Sequence, residues 1–191
     1  MSQEIKNEGD IQSQLNTSNV QGNIYFSPKT RLAKRFVKLN QEVKSDQRYE
    51  GTMEALKHYL TKQDGIDAET KLMDGGFSEK QRIDAIKSKE KYAKKLELNR
   101  FFESAQLIDS QLFAKIKMDF DTFVVPLVNS KVPKDEIMQS LVKNVIQPVL
   151  DLINEEGEDD EYLNYNADDI FGMVYYLTGQ CHLNWTNYDN I

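Results

Sequence analysis

Cys181, His182 and Trp185 gather the chain's only cysteine, its only tryptophan and one of its two histidines within five residues. A thiol beside an imidazole has the makings of a nucleophile and base, because thiolate attack needs a partner that accepts or stabilises a proton. Sequence neighbours rarely have that geometry, and no glycine-rich turn or orienting motif surrounds this pair. A structural zinc site usually takes four ligands, and one Cys with His58 and His182 falls short of that set. The acids Glu155, Glu156, Glu158, Asp159, Asp160 and Glu161 lack the Asp-x-Asp-x-Asp-Gly plan of a calcium loop and read as a solvated loop. The phosphate-cradling patterns GxxxxGK[ST] and GxGxxG are absent, as are GxSxG and HExxH. The sequence therefore predicts no catalytic residue, no metal site, no cofactor and no enzymatic activity.

The remaining chemistry is charge. The net charge is −7, yet residues 144–191 hold ten acids and no Lys or Arg, while residues 1–143 hold 24 bases against 21 acids. From Lys80 to Arg100, eight bases stand against Asp84, Glu90 and Glu97. On a helix Lys87, Lys91, Lys94 and Lys95 lie broadly on one side. With Lys80 and Arg82 they form a candidate surface for a phosphate backbone or for an acidic protein face. The plainer alternative is a solvated helix face.

These residues need elements to hold them. At 191 residues, with 39% apolar and 29% charged residues, the chain suits one domain of amphipathic helices. One cysteine makes no internal disulfide, no basic and apolar leader is visible, and no apolar run approaches the roughly 20 residues of a membrane span. A cytoplasmic protein without membrane contact is expected. The expected fold class is all-α, a long-helix bundle over residues 30–191 behind an Asn- and Gln-rich arm over residues 1–29. That arm is either a flexible terminus or a short strand around Ile24, Tyr25 and Phe26, able to pair with a partner or another copy.

Apolar spacing predicts a first helix through Leu32, Phe36, Leu39 and Val43. A second carries Tyr49, Met53, Leu56, Tyr59 and Leu60, with Gly51 as a weak point and Gln63-Asp64-Gly65 as its stop. A short turn of helix spans Asp67 to Met73. Ser78 and Gln81 form a capping box that opens a pattern of about 45 residues, with a break expected between residues 102 and 110. Pro133 starts another helix, kinked at Pro148. Asn166 or Asp168 opens the last helix, which ends at a C-capping Gly179. Beyond it Gly179, Cys181, His182 and Trp185 form a structural clasp.

Four stretches resemble a known family: Lys89-Glu90-Lys91-Tyr92-Ala93-Lys94-Lys95-Leu96, Ser104-Ala105-Gln106-Leu107-Ile108, Ile146-Gln147-Pro148, and the ending from Gly172 to Trp185. They look like the C-terminal domains of bacterial ABC three-component conflict systems, over residues 30–185. The resemblance implies a helical domain that couples an effector to an ABC ATPase of the SMC or Rad50 type and a small middle component, in phage defence. Effectors of that type carry a toxic domain ahead of the helical part. Here 29 residues precede it, which implies a stand-alone coupling subunit with protein partners, self-association or DNA contact.

Overall fold

A computed structural model describes residues 29–188. The candidate strand Ile24, Tyr25 and Phe26 lies outside the described residues. Within them the chain is all-α, with no strand. Helix α1 (Arg31–Lys44) starts where the Thr30 hydroxyl accepts the Ala33 N–H, and it buries Leu32, Phe36, Leu39 and Glu42.

The second helix begins later than its apolar spacing predicts. Helix α2 (Glu54–Leu60) leaves Tyr49 and Gly51 in a non-helical stretch. The reason is a competing set of partners: the Tyr49 N–H donates to the Phe101 carbonyl, and the Gln106 amide takes both the Gly51 carbonyl and the Met53 N–H. With those backbone groups satisfied, this stretch has no need of helical bonds.

Helix α3 (Ala68–Asp74) is capped by Asp67, and α4 (Glu79–Asn99) opens with the Ser78–Gln81 capping box. The long pattern then divides into α4 and α5 (Glu103–Phe123), with the break at residues 100–102, just ahead of the expected window and touching it only at Phe102. A distant carboxylate holds the break. Glu42 of α1 accepts the Ser104 N–H at 3.0 Å and the Ser104 hydroxyl at 2.9 Å, placing negative charge at the N-terminus of α5.

Helix α5 is the axis of the bundle. It packs against α1, α2 and α4, and against α6 (Val125–Asn129), α7 (Lys134–Leu141), α8 (Gln147–Glu156) and α9 (Ala167–Gly179). Ala105, Ile108, Leu112, Phe113, Ile116 and Phe120 are its fully buried core side chains. Instead of a simple kink at Pro148, a π-helical turn at Val142–Ile146 joins α7 to α8. Pro148 has no N–H to give the residue one turn back, and the wider turn absorbs that missing bond. No helix among the described residues is long and apolar enough to cross a membrane.

The most extensive helix pair is α4 with α9. Asn166 and Asp169 make a reciprocal capping box at the start of α9, and Lys95 of α4 reaches the same Asp169 carboxylate at 2.9 Å. The two helices are thus tied at one end by charge and pressed together in the middle at Gly172.

Candidate functional site

The end of α9 is a Schellman turn. The His182 N–H donates to the Leu177 carbonyl at 2.9 Å and the Cys181 N–H to the Thr178 carbonyl at 3.1 Å. Cys181, with φ of 69°, occupies the left-handed position that the sequence assigns to a glycine stop. Gly179 instead closes the helix with no positive φ, and a Cβ there would meet Lys89 and Ala68 only at ordinary contact distance.

A non-glycine residue in this conformation carries strain of about 1 kcal/mol or more, and the side chain of Cys181 has a partner there. Its thiol donates to the Asp64 carboxylate at 2.6 Å. The other Asp64 oxygen accepts from Lys71 Nζ at 2.8 Å, and the same ammonium donates to Asn184 Oδ1 at 2.6 Å. Lys71 is 0% exposed. Burial opposes ionisation of Asp64, but hydrogen bonds from Cys181, Lys71 and the Ile66 N–H together bring its carboxyl down to about 2. The thiol therefore faces an ionised acceptor rather than a base poised to release it to a substrate.

His182 makes no hydrogen bond to that thiol, whose partners among the described residues are Asp64, Ile66 and Gly179. Its ring lies 5.0 Å from the His58 ring and 5.3 Å from Tyr59, and both ring nitrogens are buried with no hydrogen-bond partner among the described residues. Burial, then the neighbouring His58, lowers the pKa of its imidazolium. No cluster of three or more His, Cys, Asp or Glu suited to a metal exists among the described residues.

Trp185 completes the clasp. Its indole N–H donates to the Thr178 hydroxyl at 3.0 Å, and its ring meets Phe77 and Phe120 edge to face. Lys134 Nζ sits 3.1 Å from the Phe77 ring centre and 4.9 Å from that of Trp185, while donating to the Gly75 carbonyl. Burial lowers this ammonium to about 7, while the two ring faces favour its charged form.

Deeper in the bundle lies a polar group that the sequence reading did not single out. Tyr92 and Tyr165 both donate to Oδ1 of Asp109, and Asn99 donates to the Tyr165 hydroxyl at 2.8 Å. Oδ2 of Asp109 is buried with no hydrogen-bond partner among the described residues. Burial pushes this carboxyl up to about 7 even though Tyr165 and Tyr92 hydrogen bond to it. Nothing in the local sequence of α5 marks Asp109, because its partners come from α4 and from the loop before α9.

The basic stripe is narrower than its composition. Arg82 is half-buried and donates to the Phe77 carbonyl, and Lys95 is committed to Asp169. Lys80, Lys87, Lys91 and Lys94 remain exposed on one face of α4 and make no ion pair among the described residues. Ile83 and Leu98 emerge on the same face, 47% and 64% exposed.

Residues 67–185 match the family model for C-terminal domain 9 of the ABC-three component (ABC-3C) systems. No curated protein and no solved structure matches the chain. The matched stretch runs from Asp67, the cap of α3, to Trp185 in the clasp, and it contains α4, α5 and α9 entire.

Proposed function

This chain belongs to the C-terminal domain 9 family of the ABC-three component systems, and from that premise we propose a non-enzymatic coupling subunit. It joins an ABC ATPase of the SMC or Rad50 type to an effector, in the cytoplasm of a bacterium under phage attack. The exposed face of α4 carries this reading. Four lysines there make no ion pair among the described residues, within the family-matched stretch, while Cys181 is bonded to Asp64 and Asn184 to Lys71. A face left with unpaired like charge favours an oppositely charged partner over solvent alone. ATP turnover falls to the partner, since this sequence has no phosphate-cradling loop.

Co-expression of the full chain with the other two components of its system, followed by size exclusion with light scattering, tests the proposal. A stable complex that contains this chain, with ATPase turnover altered by its presence, is expected. Separate elution with unchanged turnover would overturn the proposal.

A second reading has one observation in its favour. Lys80, Lys87, Lys91 and Lys94 repeat along one helix face for about 21 Å at 1.5 Å per residue, a span that suits a nucleic-acid backbone. Binding of duplex DNA that weakens steeply with salt and disappears on reversing the four charges would favour it.

A further inference from the structure

We propose that the groove between α2 and α4 is a docking site for an acidic protein segment that inserts an apolar side chain. This rests on the coupling-subunit reading and names the surface and partner chemistry it would use. The groove encloses about 430 Å³, and Leu56, Leu60, Ala93, Leu96 and Tyr176 line it. That volume lies within the range of pockets that take a large side chain or a small ligand. Lys94, Glu97 and Arg100 also line it, with Arg100 Nη1 3.6 Å from Glu97 Oε1, so Lys94 is the rim cation that makes no ion pair among the described residues. Lys91 and Lys87 lie one and two turns before Lys94 on the lysine face of α4, which meets the groove at Lys94. Leu98, one turn past Lys94, is 64% exposed on the lysine face of α4.

Charge and apolarity together choose the occupant. A phosphate backbone would use Lys94 and Arg100 but gain nothing from the aliphatic floor. A purely apolar segment would fill the floor and leave the lysines unanswered. An acidic segment with a leucine or aromatic anchor meets both, with the anchor desolvated in the groove and the carboxylates at its lysine rim.

The test uses the full chain and the ATPase and middle component of its own system, with affinities measured by interferometry at two salt concentrations. Ala93→Trp fills the groove without removing a core side chain. Lys94→Glu with Arg100→Glu reverses the rim on exposed positions, and Lys131→Glu, away from the groove, is the control. Circular dichroism confirms that each variant is folded. The expected result is a loss of about tenfold or more in affinity for Ala93→Trp, as for a blocked hot-spot pocket. The double reversal should also weaken binding and flatten its salt dependence, with the control unchanged.

If the wild-type chain binds and Ala93→Trp binds equally well, the groove proposal fails while the coupling reading stands. If the wild-type chain binds neither component, both fail. Displacement of the bound subunit by duplex DNA, or a dimer of this chain abolished by Ala93→Trp, would assign the groove to another occupant and overturn the proposal.

Discussion

Gly172 of α9 lies directly against Tyr92 of α4: a Cβ on residue 172 would stand 2.6 Å from the Tyr92 Cβ and 2.8 Å from the Ser88 carbonyl oxygen. The missing methyl group sets how closely the two helices approach. That approach seats the Tyr92 ring in the core, where its hydroxyl reaches Asp109.

Gly172→Ala therefore sets two effects against each other. Alanine gains up to about 1 kcal/mol in helix propensity over glycine. Overpacking against a helix backbone costs about 1–3 kcal/mol, and the Ser88 carbonyl cannot rotate away as a side-chain end can. Overpacking wins, and the melting temperature followed by circular dichroism should fall by several degrees. An unchanged or raised value would show that the α4–α9 contact is looser than the geometry given above.

Cys181 should react slowly with iodoacetamide in the folded protein, since it is 7% exposed and its thiol faces Asp64. Modification at the rate of a free thiol would instead mark a reactive nucleophile. Cys181→Gly relieves left-handed strain of about 1 kcal/mol but loses a hydrogen bond to a charged acceptor worth about 1.5–3 kcal/mol, so stability in urea should fall modestly.

Asp109 makes stability depend on pH. Its carboxyl is held up at about 7 by burial, above the value of about 3.9 in an unfolded chain. Between these values the folded state keeps a proton that the unfolded chain has released. The contribution is full below about pH 4 and is lost as pH rises through about 7. Tyr92, Tyr165, Tyr176 and the nearby Lys95 are the titratable groups that interact with it among the described residues. Asp109→Asn keeps an acceptor for both tyrosines and removes the ionisation. Urea unfolding at pH 5 and pH 8 should show a variant that gains on the wild type as pH rises, and a pH-independent difference would contradict the buried-acid account.

Reversing Lys80, Lys87, Lys91 and Lys94 to Glu should separate stability from binding. These lysines pair with no described residue, so each change should shift stability by no more than about 0.5 kcal/mol, as for ordinary surface sites. Partner binding should fall sharply. A large drop in melting temperature would mean that the face is structural.

The helices were legible where local rules decide them. The Ser78–Gln81 box, the spacing of Leu32, Phe36 and Leu39, and the start of α9 at Asn166 are all read from neighbours a few residues apart. Sequence reading fell short where the deciding partner is distant. Glu42 fixes the start of α5 across 62 residues, and Asp64 meets Cys181 across 117. Lys95 looks like one more base of a stripe until Asp169, 74 residues later, claims it. Helical periodicity carries no information about such pairs, so Gly179 reads as the natural helix stop while the chain puts Cys181 in that conformation.

Glu42 and Asp64 both precede residue 67, where the family match begins. A recombinant fragment trimmed to the matched stretch would keep α3 through Trp185 but lose the carboxylate that opens α5 and the one that receives Cys181 and the buried Lys71. The start of the family match therefore falls inside the hydrogen-bonded helical unit, after the residues that hold α5 and Cys181 in place. Anyone transplanting the module into another protein should cut before Thr30, so that α1 and the Asp64 turn travel with it.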